Sequence, residues 1–237
     1  MKFTLCIPMY NESKIIADTA KTLSAYMSEN FDEYEIIFSD DGSTDGSADI
    51  VKSLELPGIR VIGYPDNRGK GSAVREAMLA STGDAVMFTD SDLAYGTDVI
   101  KRVAQAFQDH PECELVVGSR NIGKDGYDGY TFLRKIASKS YLQVLKAVGG
   151  LKISDSQCGC KAFRGEAAKK IFSNCIVNRF AFDFEAILLA EKCKYKICEI
   201  PVKVINHGDS KVNVLRDSVK MLRDLSKMKK RISKLDI

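Results

Sequence analysis

Short apolar runs alternate with longer segments of mixed polarity along the first half of the chain. Five runs rich in β-branched and aromatic residues predict strands: KFTLCIP, EYEIIFSD, IRVIGY, DAVMFTD and ELVVGS. The segments between them carry apolar residues at spacings of three and four, which is typical of amphipathic helices. We expect three of these helices to begin at Ser13, Thr44 and Thr97. Strands that alternate with helices predict a parallel sheet with crossover helices.

The pattern changes after Ser119. A loop rich in Gly, Asp and Tyr leads to a predicted amphipathic helix at residues 131–148, and the segment ISDSQCGCKAF, a short helix and the helix FDFEAILLAEKC follow. A strand, YKICEIPVKVI, and a long basic terminal helix complete the chain. We therefore predict an α/β fold with a mostly parallel central sheet flanked by helices. Residues 1–211 would form one domain, and residues 212–237 an amphipathic helix packed on it or on a membrane surface.

Composition indicates a globular protein, because 45% of the 237 residues are hydrophobic and 28% are charged. No apolar run approaches the roughly 18 residues that cross a bilayer, and Met1 stands almost directly before a strand, so we expect a cytoplasmic protein. The seven cysteines lie mostly in apolar segments, which favours reduced buried thiols over a disulfide framework. Cys158 and Cys160 lack a second pair at zinc spacing and are expected to be structural.

The net charge of +3 is unevenly distributed. Residues 212–237 contain eight Lys or Arg and three Asp, a net charge of +5, which leaves −2 for residues 1–211. A basic helix with one apolar face could pack on the sheet, or it could lie on an anionic membrane as a peripheral contact. Nucleic acid is not an expected partner, because no aromatic residues are interleaved with the basic ones.

Polar motifs follow each of the first five predicted strands: PMYNE, DDGSTDG, PDNRGKGSA, DSD and GSRNIG. Ligands bind at the carboxyl ends of strands in an open parallel sheet, so these motifs predict a site there. Asp90 and Asp92, two residues apart, would share one face of a strand end and repel each other unless a cation such as Mg²⁺ or Mn²⁺ lay between them. A helix cap with a solvated turn is the alternative. Asp40 and Asp41 could contact a nucleobase or ribose, or only cap a turn.

The motifs CIPMYNE, SDDGSTDG, NRGKGSA, FTDSD, VGSR, DSQCGCKAF and FDFE occur in this order. Together they resemble those of the inverting family-two glycosyltransferases of GT-A fold, and most closely the dolichyl- or polyprenyl-phosphate glucosyl- and mannosyltransferases. The resemblance extends to about Asp224. It implies a nucleoside diphosphate sugar as donor and a divalent cation, Mn²⁺ or Mg²⁺, as cofactor.

The resemblance also implies roles for individual residues. Those expected to bind the nucleotide sugar are Pro8, Tyr10, Asn11, Glu12, Asp40, Lys70, Asp90, Ser91 and Asp92. The expected metal ligands are Asp90 and Asp92, with His207 as a candidate third, and Asp41 is expected to be structural. Arg120, Arg134 and Gln157 would contact the acceptor, and Lys211 the donor diphosphate. Asp155 would face the acceptor, with Gln157, Lys161, Asp183 and Glu185 as possible neighbours.

These roles predict transfer of a hexose, with UDP-glucose as the expected donor, to polyprenyl or dolichyl phosphate. Such an acceptor needs no general base, because a phosphate monoester with a second pKa of about 6 is already ionised near pH 7. The alternative acceptor is a hydroxyl of a glycan or lipid-linked saccharide, with Asp155 as the base. Two other classes are a non-catalytic nucleotide-sugar-binding protein and a sugar-1-phosphate nucleotidyltransferase. The latter would need a glycine-rich loop where this chain has PMYNE.

Overall fold

A computed structural model describes residues 1–123, 152–179, 181–205 and 227–237. Within these residues a single sheet contains seven strands in the order β3-β2-β1-β4-β6-β5-β7. The strands are β1 (Phe3–Met9), β2 (Tyr34–Asp40), β3 (Ile59–Gly63), β4 (Ala85–Phe88), β5 (Leu115–Ser119), β6 (Lys161–Arg164) and β7 (Ile197–Pro201). Strands β1 to β5 and β7 fall where the apolar runs predict them.

Helices connect the strands and cover both faces of the sheet. They are α1 (Ile16–Asn30), α2 (Ser47–Ser53), α3 (Lys70–Ala80), α4 (Asp98–Asp109), α5 (Gly165–Asn174) and α6 (Phe182–Lys192), and residues 227–232 are also helical. The predicted helix at residues 131–148 lies outside the described residues, as does the terminal helix before residue 227.

Two of the three predicted helix starts lie two residues before the observed N-cap residues, Ile15 and Gly46. Thr97 directly precedes α4, as expected, whereas α1 and α2 begin after Ser13 and Thr44. Ser13 and Thr44 instead belong to the loops before the two helices, and hydrogen bonds connect these loops to each other. The backbone amide of Ser13 donates to Asp45 Oδ2 at 2.9 Å, and that of Thr44 donates to Asn11 Oδ1 at 2.9 Å.

The prediction of a mostly parallel sheet is confirmed, with one exception at β6. This strand, which the sequence did not predict, runs antiparallel to both β4 and β5. Lys161 pairs in register with Phe88 on one side and with Val117 on the other. Strand β6 therefore begins at the edge of the sheet where β4 and β5 end, and it runs back towards the opposite edge.

Apolar residues on both sides of the central strands form the core. In β1, Leu5 and Ile7 pack with α1 and α4, while Cys6 between them packs with α3, α5 and α6. This alternation is expected, because successive strand residues point to opposite faces and helices bury both faces of a parallel sheet.

The last eleven residues pack on the layer formed by α3, α5 and α6. Met228 and Ile232 are 5% and 4% exposed, and Arg231 donates a hydrogen bond of 2.8 Å to the buried carboxylate of Glu185. Lysines on the same segment point to solvent. For residues 227–237 the apolar side therefore contacts the protein. No helix in the described part of the chain has the length and apolar character needed to cross a membrane.

The expectation that all the cysteines are reduced is wrong at one pair. Cys113, just before β5, forms a disulfide with Cys198 in β7, and their Cα atoms are 6.1 Å apart. Strands β5 and β7 are parallel neighbours, which brings the two segments close together, although Cys198 pairs in register with Val116. Cys158 and Cys160 are buried free thiols.

Candidate active site

The two aspartates after β4 lie in a turn. The strand ends at Phe88, so Asp90 and Asp92 do not share a strand face, and that part of the sequence argument is wrong. The turn is fixed from two directions. Thr19 of α1 donates a side-chain hydrogen bond of 2.8 Å to the carbonyl of Ser91, and Asp92 accepts one of 3.1 Å from the amide of Ala94.

Asp90 is held between a cation and a glycine. The ammonium of Lys70, the first residue of α3, donates to Asp90 Oδ1. On the other side, a Cβ added to Gly159 would lie only 2.4 Å from Asp90 Oδ2, so a larger residue here would have to displace the Asp90 carboxylate. Burial lowers the pKa of Lys70, but the carboxylates of Asp90 and Asp183 outweigh that effect and raise it. The resemblance implied that Lys70 binds the nucleotide sugar, and in the structure its ammonium is paired with Asp90.

The chemistry of the aspartate pair fits a divalent cation. Burial raises the pKa of Asp92, and the negative charge of Asp90 raises it further, which is the repulsion that a bound cation would relieve. Carboxylate oxygens are the ligands that Mg²⁺ and Mn²⁺ prefer. Among the residues that the structure describes, no three His, Cys, Asp or Glu side chains come together as a complete metal site. His207, the candidate third ligand, lies outside those residues.

The loops after β1 and β2 form one wall of the site. Pro8 is the sixth residue of β1, and Tyr10, Asn11 and Glu12 follow the strand. The amide of Asn11 donates to Ser43 Oγ at 2.9 Å, and the amide of Glu12 donates to Ser47 Oγ at the same distance. The structure therefore brings these predicted nucleotide-binding residues to the edge where β2 ends.

Asp40, the last residue of β2, lies in the same wall. Its carboxylate accepts a hydrogen bond of 3.2 Å from the backbone amide of Ser43, and the residue is 9% exposed.

Asp41 organises the loop that leads to Lys70. Its carboxylate accepts hydrogen bonds of 2.6 Å from the Tyr64 hydroxyl, 2.9 Å from Asn67 Nδ2 and 2.9 Å from the amide of Arg68. The amide of the next residue also donates to it. Asp41 thus accepts hydrogen bonds from four residues of one loop, and its side chain is nearly fully buried. This arrangement indicates a structural role.

Arg120 and Asp155 form a fork at the end of β5. Arg120 donates from Nε to Asp155 Oδ2 at 2.7 Å and from Nη2 to Oδ1 at 3.0 Å. The backbone amides of Arg120 and Gln157 each add a hydrogen bond of 3.2 Å to the same carboxylate. Asp155 is 0% exposed. Burial raises its pKa, but the charge and hydrogen bonds of Arg120 outweigh that effect and leave the pKa below its ordinary value.

Other expected neighbours of Asp155 have different partners. Lys161 donates a hydrogen bond of 2.6 Å to Asp183 Oδ1. Glu185 accepts bonds from the amides of residues 176 and 177 and from Arg231, so it belongs to the packing of the C-terminal segment. Arg134 and Lys211 lie outside the described residues.

The contact between Tyr95 and Gly159 was not predicted from the sequence. The amide of Gly159 donates to the Tyr95 hydroxyl at 3.3 Å, which joins the turn after β4 to the loop before β6. The isolated glycine in QCGC was a signal for such a close approach.

Comparison with known proteins finds several that are similar to this chain. A model of glycosyl transferase family 2 matches residues 4–172. The chain is 33% identical to a dolichyl-phosphate beta-glucosyltransferase (ALG5C) of Trichomonas vaginalis, over 89% of this chain and 66% of that protein. It is 30% identical to a dolichyl-phosphate beta-glucosyltransferase of Dictyostelium discoideum, over 92% of this chain and 70% of the relative. The chain thus spans about two thirds of the length of these relatives.

Among solved structures, glucosyl-3-phosphoglycerate synthase of Mycobacterium tuberculosis in complex with UDP is similar to this chain, with a TM-score of 0.70. The two are 19% identical over 95% of this chain and 80% of the synthase. Another crystal of that synthase contains Mn²⁺, UDP-glucose and phosphoglyceric acid, and matches with a TM-score of 0.69 and 19% identity, over 99% of this chain and 81% of the synthase. At this level of identity the likeness shows the fold alone, which is the GT-A fold.

Proposed function

The chain belongs to glycosyl transferase family 2, and on this basis we propose that it transfers glucose from UDP-glucose to a polyprenyl phosphate such as dolichyl phosphate, with inversion at the anomeric carbon. The names of the relatives support the sugar and the acceptor. UDP-glucose in the crystal of the synthase of similar fold supports the donor. The whole-protein activity is a proposal, because the relatives extend beyond the part that this chain matches.

The observation that carries the choice of acceptor is the state of Asp155. A general base needs a carboxylate that can reach the acceptor proton and has a pKa near the working pH. Asp155 is buried, holds four hydrogen bonds and has a lowered pKa. This arrangement supports a phosphate acceptor, which has no proton to remove, over a hydroxyl acceptor. We propose that Asp155 orients Arg120 and does not act as a base.

In the proposed reaction, an oxygen of the acceptor phosphate attacks the anomeric carbon as the bond from that carbon to the β-phosphate oxygen breaks. Arg120 contacts the acceptor phosphate and keeps it in line, since a guanidinium is well suited to phosphate oxygens. Arg134 and Gln157 complete the acceptor side. The wall formed by Pro8, Tyr10, Asn11, Glu12 and Asp40 holds the nucleoside.

Asp90 and Asp92 would hold Mn²⁺ or Mg²⁺, and the bound ion would supply positive charge to the departing diphosphate. The ammonium of Lys70 forms an ion pair with Asp90 and offsets its negative charge. We propose His207 as a further ligand and Lys211 as a contact of the diphosphate. The amide of Ile205, two residues before His207 in the sequence, donates a hydrogen bond of 2.8 Å to the carbonyl of Ala94, beside the aspartate turn.

A substrate panel tests the proposal. The protein is incubated with UDP- or GDP-sugars, Mn²⁺ and either a short polyprenyl phosphate or the matching polyprenol, and the lipid products are identified by mass spectrometry. We expect glucosyl phosphate lipid from UDP-glucose, and no product from the polyprenol. Glucosylation of the polyprenol would favour the hydroxyl acceptor, and tight UDP-glucose binding without any transfer would favour a binding protein.

A further inference from the structure

Lys161 is a fully buried lysine to which the proposed reaction gives no role. Its side chain is 0% exposed, and its ammonium donates two hydrogen bonds of 2.6 Å, one to Asp183 Oδ1 and one to the carbonyl of Cys158. The ammonium also lies 5.7 Å from the centre of the Phe88 ring. Burying a charge is costly unless it is paired and hydrogen-bonded, so its surroundings fix this ammonium in one place.

Lys161 stands between the strands that lead to the two halves of the site. As the first residue of β6, it pairs in register with Phe88 of β4 and with Val117 of β5. Two residues beyond Phe88 is Asp90, and three residues beyond Val117 is Arg120. The donor-side turn and the acceptor-side arginine are therefore extensions of the two strands that Lys161 joins.

The carbonyl that Lys161 holds belongs to the loop that contacts both halves. In this loop, which precedes β6, Asp155 accepts the forked hydrogen bonds of Arg120. The same loop brings Gly159 against Asp90 so closely that an added Cβ would lie 2.4 Å from its carboxylate oxygen. The ammonium of Lys161 thus fixes the peptide between Asp155, which holds Arg120, and Gly159, which lies against Asp90.

Asp183 ties Lys161 to a helix. It lies in the first turn of α6, and its carboxylate accepts the hydrogen bond of 2.6 Å from the Lys161 ammonium. The pair therefore joins the loop before β6 to α6.

We propose that the Lys161–Asp183 pair is a positioning pair that sets the relative placement of the donor and acceptor groups, acting through the loop before β6. The inference rests on the proposed function. A purely structural ion pair would contribute only to folding, and the two roles can be separated.

The separating variant replaces both charges by apolar residues, Lys161→Met together with Asp183→Leu. Replacement of a buried ion pair by apolar residues of similar size is often neutral or stabilising, so we expect a melting temperature close to that of the wild type. The carbonyl of Cys158 loses the ammonium that it contacts. We therefore expect kcat to fall by about 10- to 100-fold, the range seen when supporting contacts of a site are removed. Unchanged kcat and KM in a folded double variant would overturn the proposal.

Single variants keep the test valid if the double variant does not fold. Asp183→Asn retains an acceptor for Lys161, and Lys161→Arg retains the charge, so Lys161→Arg should recover part of the kcat that Lys161→Met loses. Glu185→Gln is the matched control, because it weakens another buried ion pair of α6, whose partner Arg231 belongs to the C-terminal segment. It should lower the melting temperature and leave kcat unchanged. Equal kcat in Lys161→Met, Lys161→Arg and the wild type would also overturn the proposal.

A second measurement does not depend on turnover. Calorimetric titration with UDP in the presence of Mn²⁺ should show affinity at least about ten-fold weaker for the double variant, since the loop that places Gly159 against Asp90 loses its contact with the Lys161 ammonium. If the wild-type protein transfers no sugar to any acceptor, the proposed function fails, and this titration still decides the role of the pair. Wild-type affinity in the double variant would then refute that role.

Discussion

Replacing Asp155 by Asn should destabilise the protein and misplace Arg120. The carboxylate is 0% exposed and accepts two side-chain hydrogen bonds from Arg120, of 2.7 and 3.0 Å. Removing one partner of a buried ion pair costs about 3–5 kcal/mol, and Asn keeps one acceptor oxygen, so we expect about 3 kcal/mol. For a chain of this size, 1 kcal/mol corresponds to about 2–4 °C, which gives a decrease in Tm of about 6–12 °C.

The decrease in Tm caused by Asp155→Asn should be larger near neutral pH than in acid. Arg120 holds the pKa of Asp155 in the folded protein below the ordinary value of 3.8. The ionised carboxylate therefore stabilises the fold fully above that value, and the stabilisation is lost as the pH falls through the lowered pKa. Thermal melts of wild type and variant from pH 8 to pH 3 should show the full difference near neutrality and a smaller one in acid. An increase of the difference in acid would contradict the ion pair.

Kinetics distinguish the two roles of Asp155. If it orients Arg120, Asp155→Asn should raise KM for the polyprenyl phosphate. A general base contributes about 10²- to 10⁴-fold to the rate, so loss of a base would lower kcat by that factor at unchanged KM. Glu185→Gln controls for loss of stability without a displaced arginine. An Asn variant with wild-type Tm, unchanged acceptor KM and a thousand-fold lower kcat would refute the orienting role.

Three further predictions concern the aspartate turn and the C-terminal segment. Asp92→Asn should abolish the effect of Mn²⁺ on UDP affinity in calorimetry without lowering Tm, because the change removes a repelled charge; an undiminished Mn²⁺ effect would contradict the metal assignment. Gly159→Ala should weaken Mn²⁺-dependent UDP binding by about 10-fold or more, since its Cβ would displace Asp90, and unchanged binding would argue against that contact. Arg231→Met should lower stability by about 3 kcal/mol in denaturant unfolding at unchanged kcat, because Glu185 loses its cation; wild-type stability would show that the ion pair contributes little.

The sequence predicted most of the fold because its signals are periodic and local. Strands β1 to β5 are apolar runs bounded by turns, and α1 and α4 repeat their apolar residues at helical spacing. Strand β6 has four residues, Lys161–Arg164, and begins with a lysine, so it shows neither alternation nor an apolar run. Its place between β4 and β5 is a long-range property, and short strands give too little local signal to be predicted.

The grouping of polar residues at one edge of the sheet was predicted for a different reason. Parallel strands end at one edge of a sheet, so polar residues after strands could be grouped without knowledge of their contacts. The pairings could not be predicted in this way. Asp155 is 35 residues from Arg120, and Lys70 is 20 residues from Asp90. Only the packed chain shows that Lys70 meets a carboxylate, and that the side chain of Asp155 is occupied by hydrogen bonds.

The direction of β6 explains why one loop can reach both halves of the site. Strands β4 and β5 are not hydrogen-bonded to each other, because β6 lies between them and runs antiparallel to both. A parallel strand in this position would begin at the opposite edge, and the loop before it would be far from the aspartate turn. Since β6 begins where its neighbours end, the segment from Asp155 to Cys160 enters the sheet between the turn after β4 and Arg120. Among the described strands, this one reversal therefore places the loop that the Lys161 ammonium contacts next to both Asp90 and Arg120.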